Sequence, residues 1–167
     1  MTALHTGDQA ALRRAFGAFP TGVTAVAAVV DGAPRGIAAS SFTPVSLEPA
    51  LVSVCVAHSS RTWPRLQHAP RLGISVLGEG QAAIARRLGA RDVDRFDDVP
   101  WSATASAAVR IAGSAAWLET EVEQIVRAGD HDIVVLRVIE LELDDKVRPL
   151  VFHGSTFRRL HLGDDPS

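Results

Sequence analysis

The apolar residues of this chain fall into short segments, each of the length of a β-strand and separated from the next by turn residues. In the first half these segments are rich in Val, Ile and Ala, and they cover residues 23–30, 36–42, 51–57 and 72–77. Between the first two stands Asp31-Gly32, a dipeptide typical of two-residue hairpin turns. Many short strands with turns between them indicate an antiparallel β architecture.

The second half repeats this pattern, with β-branched residues in segments 107–111, 115–125, 132–143 and 150–152. Helical spacing of apolar residues is confined to short stretches. They are residues 8–19, where Asp8 can cap the helix, residues 60–67, and residues 81–88. Residues 91–100 are polar and predict a loop or lid. We therefore predict a mostly β fold, an antiparallel Greek-key-like barrel with a few short helices.

A length of 167 residues predicts one domain, residues 1–167, with a core at about 12–160 and a disordered tail after Leu160. The net charge of −2 gives no electrostatic case for binding nucleic acid or an anionic membrane. The single cysteine excludes an intrachain disulfide framework. The N-terminal residues lack the pattern of a signal peptide, and the longest apolar run is about half of what a bilayer span needs. We expect a cytoplasmic protein.

Several common catalytic and nucleotide-binding motifs are missing from the sequence. There is no Walker phosphate loop, no G-x-G-x-x-G after a strand, no H-E-x-x-H and no G-x-S-x-G. The six histidines show no metal-ligand spacing. If the protein binds a dinucleotide, a Rossmann crevice does not hold it, and no metal site is predicted.

Small residues dominate the segment 36–42, which runs Gly-Ile-Ala-Ala-Ser-Ser-Phe. Such a strand edge allows the backbone to approach a flat ligand closely, and an isoalloxazine ring offers donors and acceptors that backbone groups can meet. The alternative is a tight strand pair in which Ala and Ser occupy crowded positions. These residues alone leave both interpretations open.

This segment and several others resemble the short-chain flavin reductases, the reductase components of two-component flavin-dependent monooxygenases. The resemblance runs from about residue 16 to residue 160. Its most specific parts are residues 36–49 and the triplet Gly129-Asp130-His131. Further matching segments are residues 19–24, 59–62, 75–77 with Gln81, and 149–157.

The resemblance implies an FMN-binding split β-barrel, usually a homodimer with flavin near the subunit interface. It implies an enzyme that takes hydride from NADH or NADPH and supplies reduced flavin to a partner monooxygenase. FAD is possible, but the sequence has no recognisable adenine site, which favours FMN. Weak retention of the flavin is expected. The alternatives are a flavin-binding electron carrier, a split-barrel oxidoreductase that holds FMN tightly, and a haem-binding split barrel.

The resemblance also implies roles for individual residues. Ala38, Ala39, Ser40 and Ser41 are expected to line the flavin ring and ribityl chain, although the family often has threonine in place of Ala38. Ser59, Ser60, Arg61 and Thr62 are expected to bind the flavin phosphate, since hydroxyls, loop amides and a guanidinium suit that group. The alternative for this loop is a serine helix cap beside a surface arginine.

The remaining candidates lie elsewhere in the chain. We expect Cys55 to lie on the strand facing the flavin, as a small buried residue without a redox role. Gln81 and Arg87 are candidates for ribityl or phosphate contacts, whereas Arg86 is predicted on a solvated helix face.

His131 is the catalytic candidate. The resemblance implies a position beside the flavin and a contact with the incoming nicotinamide or its phosphates, and a neighbouring aspartate is expected to hold the imidazole. The alternative is a turn histidine satisfied by its aspartate neighbours. Phe157 is expected either to stack near the nicotinamide or to belong to the core.

Overall fold

The computed structural model describes residues 6–91 and 93–161, and antiparallel strands dominate them. The helices are α1 (Gln9–Gly17), α2 (Trp63–Leu66) and α3 (Ala82–Gly89). The strands of the first half are β1 (Thr21–Gly22), β2 (Thr24–Val30), β3 (Ala33–Ala39), β4 (Thr43–Leu47), β5 (Ala50–Ala57) and β6 (Leu72–Val76). Those of the second half are β7 (Trp101–Ala103), β8 (Val109–Ile111), β9 (Ala116–Ala128), β10 (His131–Leu143), β11 (Leu150–His153) and β12 (Thr156–Arg159).

Strand β2 occupies the centre of the molecule because both of its faces are buried. Val26 and Ala28 pack into one hydrophobic core, with residues of β5, β6, β10 and α2. Ala25 and Ala27 point the other way, into a second core with α3, β8 and β11. A strand buried on both faces is expected to be a continuous apolar run rather than an alternating one, which explains its sequence. Asp31 and Gly32 turn the chain into β3 with φ values of 53° and 75°, the left-handed region that such hairpin turns require.

The main sheet has the strand order β3-β2-β6-β9-β10-β5-β4, and all its pairs are antiparallel. Its two edge strands, β3 and β4, follow one another in sequence and are joined by residues 40–42 alone. A link of this length spans at most about 14 Å, so the sheet must curl until its edges approach each other. The result is a barrel with an opening beside the end of β3. Smaller sheets, β1-β11-β12 and β7-β8, lie beside it.

The predicted mostly β, antiparallel architecture is confirmed, and β2, β5, β6 and β10 lie within about one residue of their predicted limits. The strands β1, β4, β7 and β12 were not predicted. Residues 40–42 belong to the link after β3 rather than to a strand, because the chain leaves the sheet edge there. The predicted disordered tail, residues 161–167, lies outside the described residues apart from His161.

Helix α1 begins as predicted, because the Asp8 carboxylate accepts hydrogen bonds from the amides of Ala10 and Ala11. It ends at Gly17, so Phe19 lies beyond it. Phe16 and Phe19 are 71% and 73% exposed, so the apolar face of this segment is not covered within the single chain. Among the described residues, no helix is long and apolar enough to cross a membrane.

Candidate functional site

A cleft of about 370 Å³ opens where β3 leaves the sheet, and most of the predicted site residues line it. Its walls are the end of β3, the outer face of β5, the loop before α2, and the segment that follows α3. The predicted residues that it brings together are Ala38, Ala39, Ser40, Ser41, Cys55, Ser59, Ser60, Arg61 and His131. The small-residue segment therefore borders an opening in the barrel, as expected if its backbone is to approach a flat ligand.

Backbone atoms and small side chains form the wall at the end of β3. The carbonyl of Ala39 accepts a hydrogen bond from the buried Thr24 hydroxyl at 3.0 Å, which fixes the strand against β2. The Ser41 hydroxyl bonds both backbone groups of Cys55: it accepts from the amide at 2.8 Å and donates to the carbonyl at 3.2 Å. These two bonds tie the link to β5 and hold the cleft open between them. Ser40 is exposed, with its side chain on the cleft.

The prediction that Cys55 is buried is wrong. Side chains alternate along β5, so Val54 and Val56 enter the core while the side chain of Cys55 points outward and is exposed. It lies on the wall of the cleft, as the strand assignment predicted.

The loop before α2 presents hydrogen-bond donors to the cleft. Within the described residues, the amides of Ser59 and Thr62 donate to no acceptor, but only Ser59 lines this cleft, whereas the predicted residue Thr62 lines an adjoining one. The Ser60 hydroxyl accepts from the amide of Trp63, the first residue of α2, at 3.2 Å, but the cap position of this helix is Thr62, whose side chain makes no cap hydrogen bond. Arg61 lies on this loop and lines the cleft. Unoccupied amides beside a guanidinium are the groups that bind a phosphate monoester well.

Arg95 is a site residue that the sequence did not suggest. Its guanidinium donates to the carbonyl of Gly36 at 2.9 Å and to the hydroxyl of Thr62 at 3.0 Å, and its Nε donates to the carbonyl of Ala90 at 2.9 Å. Burial, and then the charge of nearby Arg61, hold the pKa of Arg95 below its usual value. Arg95 therefore fixes β3, the donor loop and the end of α3 relative to one another. No local sequence pattern indicates this role of Arg95, because the carbonyl of Gly36 that it bonds is 59 residues away in sequence.

His131 lies on the cleft at the start of β10, which pairs it with Ala57 of β5. Its Nδ1 lies 2.7 Å from a carboxylate oxygen of Asp130. The hydrogen bond between the two side chains, and then the histidine charge, lower the pKa of the exposed Asp130 carboxyl. Asp132 is engaged elsewhere, 2.8 Å from Nε2 of His58. The predicted aspartate partner of His131 is thus Asp130, and one ring nitrogen of His131, Nε2, is available to a ligand.

Gln81 and Arg87 do not reach this cleft. The Gln81 side chain accepts from the Gly78 amide at 2.8 Å and donates to the Ala112 carbonyl at 2.7 Å, so it joins two loops at the start of α3. Arg87 is paired with Asp97 at 3.0 Å. Both residues belong to the segment that was predicted as a helix, but their side chains bond groups outside the main cleft.

Phe157 lines a smaller cavity of about 140 Å³ together with Phe152. This cavity shares Ala38, Ala39 and Ser40 with the main cleft, so it adjoins the small-residue wall on another side. Arg86 is exposed, and its guanidinium lies 5.1 Å from the centre of the Phe157 ring. The position of Phe157 is compatible with the predicted nicotinamide contact.

The fold and this cleft define a small antiparallel β-barrel protein whose surface cleft is lined by small side chains and arginines. A family model described as a flavin reductase like domain matches residues 16–161. The chain belongs to the flavin reductase family.

Solved and curated relatives agree with this assignment. The structure of the Streptomyces globisporus C-1027 NADH:FAD oxidoreductase SgcE6, in complex with NAD and FAD fragments, superposes with a TM-score of 0.93. It is 39% identical in sequence, and the match covers 99% of this chain and all of that one. The HsaB reductase subunit of a flavin-dependent monooxygenase from Rhodococcus jostii is 34% identical over 90% of this chain and 77% of its own. A probable flavin reductase from Rhizobium meliloti is 43% identical over 81% of this chain, which spans only 44% of that relative.

Proposed function

We propose that this protein is an NADH:flavin oxidoreductase that binds the FMN portion of a flavin nucleotide in the main cleft. The observation that carries the proposal is one cleft that combines a small-residue wall, a loop with unoccupied amides and Arg61, and His131. The volume of about 370 Å³ lies within the range of roughly 300–1,000 Å³ that is usual for small-molecule sites. The names of the relatives support NADH as the hydride donor.

The residues of the cleft fit the parts of a flavin nucleotide. Ala38 and Ala39 leave space for a ring against the backbone, and Ser40 offers a hydroxyl for the ribityl chain. The amide of Ser59, together with Arg61, would hold the phosphate. A bound flavin supplies the acceptor for hydride, and the protein contributes position and exclusion of water.

Hydride transfer needs little acid–base assistance, because its rate depends mainly on holding the two rings in contact and in line. His131 is placed to contact the incoming nicotinamide, since its Nε2 is available while Asp130 holds Nδ1. Asp130 acts as a positioning residue that fixes the orientation of the imidazole. Phe157 is placed to cover the apolar side of the same wall.

The handover of reduced flavin to a monooxygenase is part of the proposal. It is supported by relatives such as HsaB, which is named as a reductase subunit. The cleft lies on the surface and has exposed walls at Ser40, Cys55 and Arg61. An open site of this kind suits a flavin that leaves as a product rather than one that stays bound.

A homodimer is also proposed, because apolar side chains are exposed on two strands of the main sheet. Val45 and Leu47 on β4 are 52% and 97% exposed, and Ile139, Leu141 and Leu143 on β10 are 47%, 65% and 68% exposed. Contiguous apolar surface is typical of an interface. Light scattering of the purified protein is expected to give twice the chain mass of 17.7 kDa. A mass equal to one chain at micromolar concentration would contradict the dimer.

The function is tested by mixing purified protein with NADH and an excess of free FMN in air and following the loss of nicotinamide absorbance. We expect many turnovers per protein molecule, because reduced flavin leaves and oxygen reoxidises it. Binding of flavin without turnover would instead identify an electron carrier. No binding of any flavin would overturn the assignment of the cleft.

A further inference from the structure

The cavity beside Phe157, where the nicotinamide is proposed to lie, is small and is shaped by two aromatic rings. Its volume is about 140 Å³, well below the roughly 300–1,000 Å³ of sites that enclose a whole small molecule. It therefore has room for a part of the hydride donor rather than for the whole dinucleotide. The largest side chains that line it are Phe152 and Phe157, so the orientation of these rings sets the shape of the space.

The backbone around Phe157 gives its ring little support. Phe157 lies on β12, the outermost strand of the sheet β1-β11-β12, and this strand is four residues long. Among the described residues β12 pairs with β11 alone, where Phe157 lies opposite Phe152 with ring centres 5.3 Å apart. The other three residues of β12 are exposed. A short edge strand with exposed neighbours offers few buried contacts that restrict a side chain, so the ring needs support from outside its own sheet.

Arg86 on α3 provides such a support. Its guanidinium lies over the Phe157 ring, 5.1 Å from the ring centre, within the distance of about 6 Å at which a cation is attracted to an aromatic face. No acidic side chain in the part of the chain that the structure describes forms an ion pair with Arg86, so none competes with the ring for the guanidinium. The helix is itself held in place, because Ala85 and Leu88 are buried in the second core.

We propose that Arg86 is a positioning residue for hydride transfer, because it holds the Phe157 ring in the orientation that shapes the nicotinamide cavity. The inference rests on the proposed function, since it takes this cavity as the place of the nicotinamide. Arg86 acts through Phe157 and needs no contact of its own with the donor. The competing role for an exposed guanidinium at this place is a contact with a phosphate of NADH, and the two roles differ in which donors they affect.

The test measures Arg86→Ala with two hydride donors, NADH and N-benzyl-dihydronicotinamide, which carries the same reactive ring without phosphates. We expect kcat/KM to fall about two- to fivefold with both donors, which corresponds to the contribution of about 0.5–1 kcal/mol of a cation over a ring at an exposed site. Arg86→Lys keeps a cation and is expected to recover part of the rate with both donors. Arg86 is exposed, so folding is expected to survive, which circular dichroism and Tm would verify.

Arg158→Ala is the matched control for the loss of one positive charge. Arg158 is an exposed arginine of the same strand, next to Phe157 in sequence, and it lies opposite Val151 on the other face of the sheet. Its replacement is expected to leave kcat/KM unchanged with both donors.

Two further measurements show whether Arg86 acts through the ring. Phe157→Leu keeps an apolar side chain without the aromatic face, and adding Arg86→Ala to this variant is expected to cause no further fall in kcat/KM. The second measurement needs no catalysis: para-fluorophenylalanine is placed at position 157, and its fluorine NMR signal is recorded without flavin or donor. Arg86→Ala is expected to change the chemical shift and the line width of this signal, whereas Arg158→Ala is not.

Four results would overturn the inference. A fall in kcat/KM with NADH alone would make Arg86 a phosphate contact. An unchanged kcat/KM with both donors would leave Arg86 without a role in hydride transfer. An equal further fall in the Phe157→Leu background would show that Arg86 acts independently of the ring. An unchanged fluorine signal in Arg86→Ala would show that the guanidinium does not orient the ring. Absence of turnover by the unaltered protein would instead contradict the proposed function, and the fluorine signal would still test the contact of Arg86 with the ring.

Discussion

Replacing His131 with alanine is expected to lower kcat/KM for NADH about 100-fold, the loss that a misplaced reactant commonly causes, and to change the Kd for FMN less than about threefold. The imidazole lies on the cleft beside Ala57 and is anchored through Nδ1 to Asp130. If it orients the nicotinamide, its loss affects hydride transfer far more than flavin binding. Steady-state rates with NADH and FMN, and calorimetry with FMN, measure the two effects.

His58→Ala is the matched control for this variant. His58 also follows a strand end and bonds an aspartate, Asp132, but it does not line the cleft. Its replacement is expected to leave kcat/KM within about threefold of the starting value. Equal losses in rate and in FMN affinity for His131→Ala would show that the histidine is structural.

The hydrogen bond that anchors His131 to the Asp130 carboxylate should persist at acidic pH. The hydrogen bond with His131 lowers the pKa of the Asp130 carboxyl, so the carboxylate stays ionised below its usual titration range. Asp130→Asn removes the charge and keeps a hydrogen-bonding side chain. If Asp130 acts by positioning, this variant shows a smaller loss in rate than His131→Ala and no change in the Kd for FMN.

Replacing Arg61 with alanine is expected to raise the Kd for FMN about 30-fold and the Kd for riboflavin less than about threefold. Hydrogen bonds to charged groups contribute about 1.5–3 kcal/mol, and riboflavin lacks the phosphate that would receive them. Arg61 and Ser59 lie on the same loop and both line the cleft. Fluorescence quenching of the two flavins measures both constants in the same buffer.

Two further variants sharpen this test. Arg61→Lys keeps the charge without the planar fork of donors, so it should recover part of the affinity for FMN. Arg65→Ala removes an exposed arginine on α2 that does not line the cleft, and it should leave both constants unchanged. An equal effect of Arg61→Ala on FMN and riboflavin would remove the phosphate assignment.

The strands that the sequence predicted best are those whose composition is set by burial. After Thr24, β2 is apolar because it faces both cores, and β5 and β6 carry the β-branched residues that pack against it. Strands β4 and β12 were missed because they are short, at five and four residues, and because β4 contains Pro44, which argues against a strand. Whether such a segment forms a strand depends on the strand with which it pairs, and that partner can lie far away in the sequence.

The structure brings together the predicted site residues that are contiguous in sequence, whereas contacts that depend on the fold were not predicted. Residues 38–41 and 59–61 meet in one cleft, as the resemblance implied. Cys55 was predicted on the correct strand but was wrongly predicted to be buried. The position of the opening, which the sequence does not reveal, decides which face of β5 is covered. Arg95 was missed because its acceptors come from three separate segments.

The position of Arg95 has a practical consequence for redesign of this enzyme. Arg95 lines both the main cleft and a second, larger cleft of about 680 Å³ beside it, and three acceptors hold its guanidinium in place. The outer walls of the second cleft, by contrast, are surface side chains such as Arg35 and Trp101. Substitutions at those surface positions are therefore expected to leave in place the contacts of Arg95 with β3, with the loop before α2 and with the end of α3.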